Sequence, residues 1–135
     1  MKKLDLTSLE KALTSLQKAI ERYGREPGDE EVRDSVIQRF EYSYELCWKM
    51  LSKELQQRTP SPSQTPSLDF KSLVREGSRF GLIDDPEVWF EYRRMRNITS
   101  HTYDEATAEK VAGSAKSFLK DAKSLLEALE KGWLK

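Results

Sequence analysis

Apolar residues recur in this chain at steps of three and four from end to end, and that spacing commits it to helices. Leu6, Leu9, Leu13, Leu16, Ile20 and Tyr23 fall on one side of a first helix. Thr7-Ser8-Leu9-Glu10 has the form of a capping box and predicts the helix start at Thr7. Gly24 to Gly28, with Pro27, predicts a turn. Asp29 is the expected cap of a second helix with the stripe Val36, Phe40, Tyr44, Cys47, Leu51 and Leu55, and Trp48 beside it. Residues 59–67 contain Pro60, Pro62 and Pro66 among serines and threonines, the composition of an exposed loop. Neither side of that loop has enough apolar residues to fold alone, so residues 1–135 are read as one domain.

A short helix is expected from Asp69 to Arg79, closed by Gly81. Asp85 and Pro86 form a cap and first-turn pair for the next helix, whose apolar face is Val88, Trp89, Tyr92 and Met95. The last helix is the longest. Val111, Ala115, Phe118, Ala122, Leu125 and Leu129 form one stripe, with Ala112, Leu119, Leu126 and Trp133 alongside. Two adjacent stripes make a face wide enough for a core and a subunit contact. No hairpin signal competes, so the expected fold is all-α, an up-and-down bundle of four to five helices.

Composition narrows the function. Hydrophobic residues make up 37% and charged residues 34%, which suits slender helices with wide wet faces. Lys plus Arg number 23 and Asp plus Glu number 23, so the chain has no general attraction for nucleic acid or membrane, and a polyanion site must be local. Cys47, the one cysteine, reads as a small buried hydrophobe in a reducing compartment; the rival reading, a reactive thiol, lacks a histidine nearby in sequence. The amino terminus runs into a charged helix without an apolar leader, and no stretch reaches membrane-spanning length, so a cytoplasmic location is expected.

The chemistry concentrates in Tyr92 to Glu105. His101 is the only histidine of the chain, and histidine is the side chain suited to proton transfer near neutral pH. Arg93, Arg94 and Arg96 precede it, and arginine grips a phosphate through two oxygens without losing its charge. Arg96 and His101 are five positions apart, which on a straight helix separates them by about 140°. They converge only if the helix ends between them. Ile98-Thr99-Ser100 is a poor helix former, and Thr102-Tyr103-Asp104-Glu105 has the form of a second capping box, so a break and a new start at Thr102 are expected. His101 would then sit in the junction, facing the same cleft as Arg96 and Asn97. The bland alternative is a surface histidine, with Arg93 and Arg94 paired to Glu87 and Glu91. No cluster of His, Cys, Asp or Glu has metal-ligand spacing, and neither metal nor cofactor is expected.

Arg96-Asn97, His101 after four intervening residues, and Tyr103 two places on match the Arg-x4-His-x-Tyr pattern of HEPN-domain proteins. The chain resembles in particular the branch paired with a minimal nucleotidyltransferase, the nucleotidyltransferase substrate-binding proteins. Phe40 to Lys49 resembles that branch's second helix, and Gly81 to Asp85 with Trp89 its later ones. The resemblance implies a helical bundle, usually a homodimer, with two copies of the motif facing each other across the two-fold axis. It implies a metal-independent ribonuclease, the toxin of a toxin–antitoxin pair, silenced when the nucleotidyltransferase attaches AMP to the motif tyrosine, here Tyr103.

The residue types suit that chemistry. RNA carries its own nucleophile, so a base, an acid and a cation at the phosphate suffice. His101 is the expected base or acid, Arg96 the phosphate clamp and Asn97 an orienting hydrogen-bonder, with Arg93 in support. Tyr103 has two readings, an exposed AMP acceptor or a residue packed on the preceding helix. Glu41 and Glu45, one turn apart, read as solvated glutamates or as a partner for a motif arginine. Lys116, Lys120 and Lys123 read as a solvated face, with RNA contact the lesser alternative, and Trp48, Trp89 and Trp133 as core or dimer contacts rather than base-stacking platforms. Two rival functions stand beside the ribonuclease. One is a non-catalytic subunit that presents nucleotide or substrate to the nucleotidyltransferase; the other is a helical assembly module without a ligand.

Overall fold

The computed structural model describes residues 3–58 and 69–132. The loop expected over 59–67 and the expected contact of Trp133 lie outside them. The described elements are α1 (Thr7–Arg25), α2 (Glu30–Arg58), α3 (Phe70–Arg79), α4 (Pro86–Asn97), a 3-10 turn (Thr99–His101) and α5 (Glu105–Gly132). No strand occurs among the described residues, so the chain is all-helical as the spacing predicts.

Helices α1, α2 and α5 pack on one another as the main body, and α3 and α4 close the remaining side. The predicted stripes face inward. Leu9, Leu13 and Leu16 of α1, Val36, Phe40, Cys47, Leu51 and Leu55 of α2, and Val111, Ala115, Phe118 and Leu125 of α5 are all buried in one cluster. Phe118 is its hub. Phe40, Tyr92 and Trp89 meet its ring edge-on, with centroids 4.9, 5.2 and 5.9 Å away, an arrangement that aromatic quadrupoles favour. Burial pushes the Cys47 thiol well above its ordinary value, which makes it a buried hydrophobe rather than a nucleophile.

The second stripe of α5 is largely spent inside the chain. Ala112 and Leu119 are buried and Leu126 is partly buried. The width of that face therefore serves the core, and among the described residues the large exposed hydrophobics are Tyr42 and Tyr103.

Helix ends follow local chemistry, with three departures from the sequence pattern. Asp29 and Asp85 cap α2 and α4 as expected, and Asp69, expected as the first residue of its helix, caps α3 instead; all three accept from backbone N–H groups of the first turn. At α1, however, Thr7 is already helical, and the first-turn N–H is taken by Asp5, whose Oδ1 accepts from Thr7 N at 3.0 Å. Glu10 N donates to the Leu6 carbonyl, so the expected box does not form. At α5 the start falls at Glu105 rather than Thr102, with Asp104 as the cap. Helix α3 ends in a Schellman turn. Leu82 N donates to Gly77 O at 2.8 Å and Gly81 N to Ser78 O at 3.0 Å, with Gly81 at φ +79°.

Candidate functional site

The predicted motif lies where α4 runs out. Arg96 and Asn97 are the last two residues of α4, and the chain then tightens into the 3-10 turn that carries His101. The helix therefore breaks between Arg96 and His101, as the spacing requires. The turn is held by backbone bonds from His101 N to Ile98 O at 3.0 Å and from Asp104 N to His101 O at 3.1 Å.

Helix α2 fixes this junction. Arg96 Nε donates to Glu45 Oε1 at 2.5 Å, and Glu41 Oε2 lies 3.7 Å from the same guanidinium. The hydrogen bond to Glu45 and the charges of both glutamates raise the Arg96 pKa further above its ordinary value. Both glutamates, not one, face the motif arginine. The hydroxyl of Thr99 lies 2.9 Å from Glu41 Oε2 and 2.8 Å from the Arg96 carbonyl. With one proton it donates to one of them at a time. At the far end of the junction Glu105 pairs with buried Arg33 of α2 at 2.5 Å. The junction is thus moored to α2 at both ends.

Between α2 and α4 opens a cleft of about 250 Å³, walled by Tyr44, Glu45, Trp48, Arg93, Arg96 and Asn97. Arg93 places its guanidinium 4.5 Å above the Phe70 ring rather than on Glu87, while Arg94 pairs with Glu91. His101 is not among the cleft's walls. It is exposed on the turn, with its ring edge-on to Tyr103 and centroids 6.1 Å apart. Tyr103 is 87% exposed. It does not pack on α4, which leaves its phenol open to chemistry. One chain therefore brings together Arg96, Asn97 and Arg93 in one place and His101 with Tyr103 in another.

Sequence reasoning missed Tyr44 and Thr99. The pattern assigned Tyr44 to the core, and it is 4% exposed, yet it forms the inner wall of the cleft. The only signal for Thr99 was its place in the break. Among the described residues no three His, Cys, Asp or Glu side chains gather closely enough to hold a metal ion. No helix there is long and apolar enough to cross a membrane.

Known proteins share this fold. Residues 4–131 match the family described as "Nucleotidyltransferase substrate binding protein like". A relative from Haemophilus influenzae, named "Probable ribonuclease HepT", is 39% identical over an alignment that covers 94% of this chain and 92% of that protein. A solved structure from the same organism, HI0074, superposes with a TM-score of 0.87 at 36% identity, covering 93% of this chain and 98% of that one. Its description reports the fold of a substrate binding domain of a nucleotidyltransferase. With nearly its whole length matched, the chain belongs to the nucleotidyltransferase substrate binding protein family.

Proposed function

We propose that this protein is a metal-independent endoribonuclease that works as a homodimer beside a minimal nucleotidyltransferase, its antitoxin, in the cytoplasm. The observation that carries the reading is the junction itself, where a helix ends in Arg96-Asn97 and turns out an exposed His101 and Tyr103. The relative named a probable ribonuclease supports the activity, and the family description supports the partner.

A two-fold copy supplies what one chain keeps apart. It sets a second His101 and a second Arg96 toward the first pair. Arg96 exchanges Glu45 for a phosphate oxygen of RNA. One His101 takes the proton of the 2′-hydroxyl, and the 2′-oxygen bonds to phosphorus. The P–O5′ bond breaks, and the leaving 5′-oxygen takes a proton from the other His101. The products are a 2′,3′-cyclic phosphate and a 5′-hydroxyl. Asn97 orients the phosphate and Arg93 adds charge beside it. AMP joined to Tyr103 adds bulk and negative charge next to this site and competes with RNA.

A second reading, a non-catalytic subunit presenting nucleotide to the nucleotidyltransferase, draws support from one feature. Glu45 and Glu41 already compensate the charge of Arg96.

Purified protein incubated with transfer and messenger RNA in chelator separates the two. The expected result is cleavage to cyclic-phosphate ends by wild type and none by His101→Ala, with melting temperatures matching because His101 is exposed. Cleavage by both proteins would remove His101 from the reaction. Cleavage by neither would favour the binding subunit.

A further inference from the structure

The α2–α4 cleft holds more than phosphate chemistry needs. The Tyr44 hydroxyl on its inner wall is buried without a hydrogen-bond partner among the described residues. An unpaired buried hydroxyl is costly and calls for an explanation. Arg93 lies close enough to act on that phenol by charge and by a loose hydrogen bond, short of the geometry of a full one. Beside Tyr44, half-buried Trp48 stacks on Phe70, with centroids 5.0 Å apart and planes 27° from parallel, and Arg93 covers Phe70 at 4.5 Å. This wall already gathers flat groups. At the mouth the Glu45 side chain is 50% exposed, so it can face a ligand as well as Arg96, and Asn97 stands among the lining residues.

Size and chemistry narrow the occupant. A volume of about 250 Å³ lies below the roughly 300–1,000 Å³ of pockets for drug-sized ligands, which suits a single ring system. An aromatic wall, a carboxylate and an amide for hydrogen bonds, and guanidiniums for a neighbouring phosphate are what an unstacked nucleobase requires. We propose that this cleft is a nucleobase subsite, which rests on the ribonuclease reading and gives it a preference for single-stranded RNA whose unpaired base next to the cut is guanine. Guanine offers adjacent N1–H and N2–H donors to the Glu45 carboxylate, whereas uracil flanks its single N–H with carbonyl oxygens. Base and phosphate enter together. Arg96 leaves Glu45 for the phosphate, and Glu45 takes the base edge, so the guanidinium keeps an anionic partner and the carboxylate keeps two hydrogen bonds.

The test titrates the full chain with GMP, AMP, CMP and UMP, followed by ligand-observed NMR. In parallel, single-stranded RNAs differing only in the base beside the cut are assayed for cleavage. GMP is expected to bind about tenfold more tightly than UMP, the scale of one bidentate contact. Glu45→Gln, on an exposed position, should erase that ratio. Trp48→Ala should weaken GMP about tenfold, with Trp48→Phe restoring most of it. Equal binding of GMP and UMP by wild type, or a preference that survives Glu45→Gln, overturns the subsite. A preference for AMP untouched by Glu45→Gln also overturns it and assigns the cleft to an adenylate. Guanine preference in binding without any RNA cleavage would sink the ribonuclease reading and leave the subsite standing. Cleavage indifferent to the neighbouring base, with no nucleotide preference, would do the reverse.

Discussion

Asp104 shows how one side chain sets the start of a helix. Its Oδ2 accepts from the Thr107 hydroxyl at 2.8 Å and from the Thr107 backbone N–H at 3.1 Å. These bonds, the hydroxyl's first, hold its carboxyl below the ordinary 3.8. A carboxyl depressed by folding stabilises the native state above its unfolded pKa, and that contribution disappears as pH falls through the folded value. Asparagine caps equally well and does not titrate in this range. Asp104→Asn should therefore melt with wild type near neutral pH and lose less stability on acidification below about pH 4; parallel acid losses in the two proteins would show that the cap adds nothing. The sequence pattern placed the cap at Thr102, and the miss has a local cause. The Thr102 hydroxyl turns back to the Thr99 carbonyl at 3.1 Å, so it serves the 3-10 turn, and the next carboxylate takes the helix. Arg96 is the opposite case. Its type and the break after it were legible from spacing. That both Glu41 and Glu45 hold it was not, because that pairing joins residues 51 positions apart for Glu45, and the pattern could only offer one of the two as a partner.

Among the elements, α2 does the most to place the site, and its far end carries a buried charge that periodicity did not reveal. The stripe Val36 to Leu55 was legible because every member returns to one face. Glu54 sits beside that stripe, and a glutamate is ordinarily solvated, yet its side chain is 2% exposed and pairs with Arg58 at 2.6 Å. Arg58 in turn lies 5.7 Å over the Phe80 ring. The aromatic that covers it comes from beyond the described end of α2, which no local pattern could foretell. Removing one partner of a buried pair strands the other. Arg58→Ala should cost about 3 kcal/mol in urea unfolding, while the joint change Glu54→Leu with Arg58→Met should come out near neutral. Equal, small losses from both would mean that water reaches the carboxylate.

For the whole molecule, the bundle was readable because the helices obey their period, and Phe118 is where they converge. Edge-on contacts from α2 and α4 meet on that one ring. Phe118→Ala should lower stability by about 4 kcal/mol, seen as a large shift of the urea midpoint; a loss under about 1 kcal/mol would show that the core collapses into the gap. What the pattern could not settle was how the wide face of α5 divides between core and partner, because width alone does not say what covers it. Neighbouring helices cover Ala112 and Leu119 here. The proposed dimer accordingly finds no broad apolar seam on α5 among the described residues.

The ring of Tyr103 lends almost nothing to the packing of the chain. Altering its phenol changes neither buried area nor any helix contact. The phenol of the folded molecule is therefore within reach of another protein with no segment having to open. Under the proposed modification, whether the protein is folded and whether it is switched on become independent variables, the first set by the core and the second by one exposed ring.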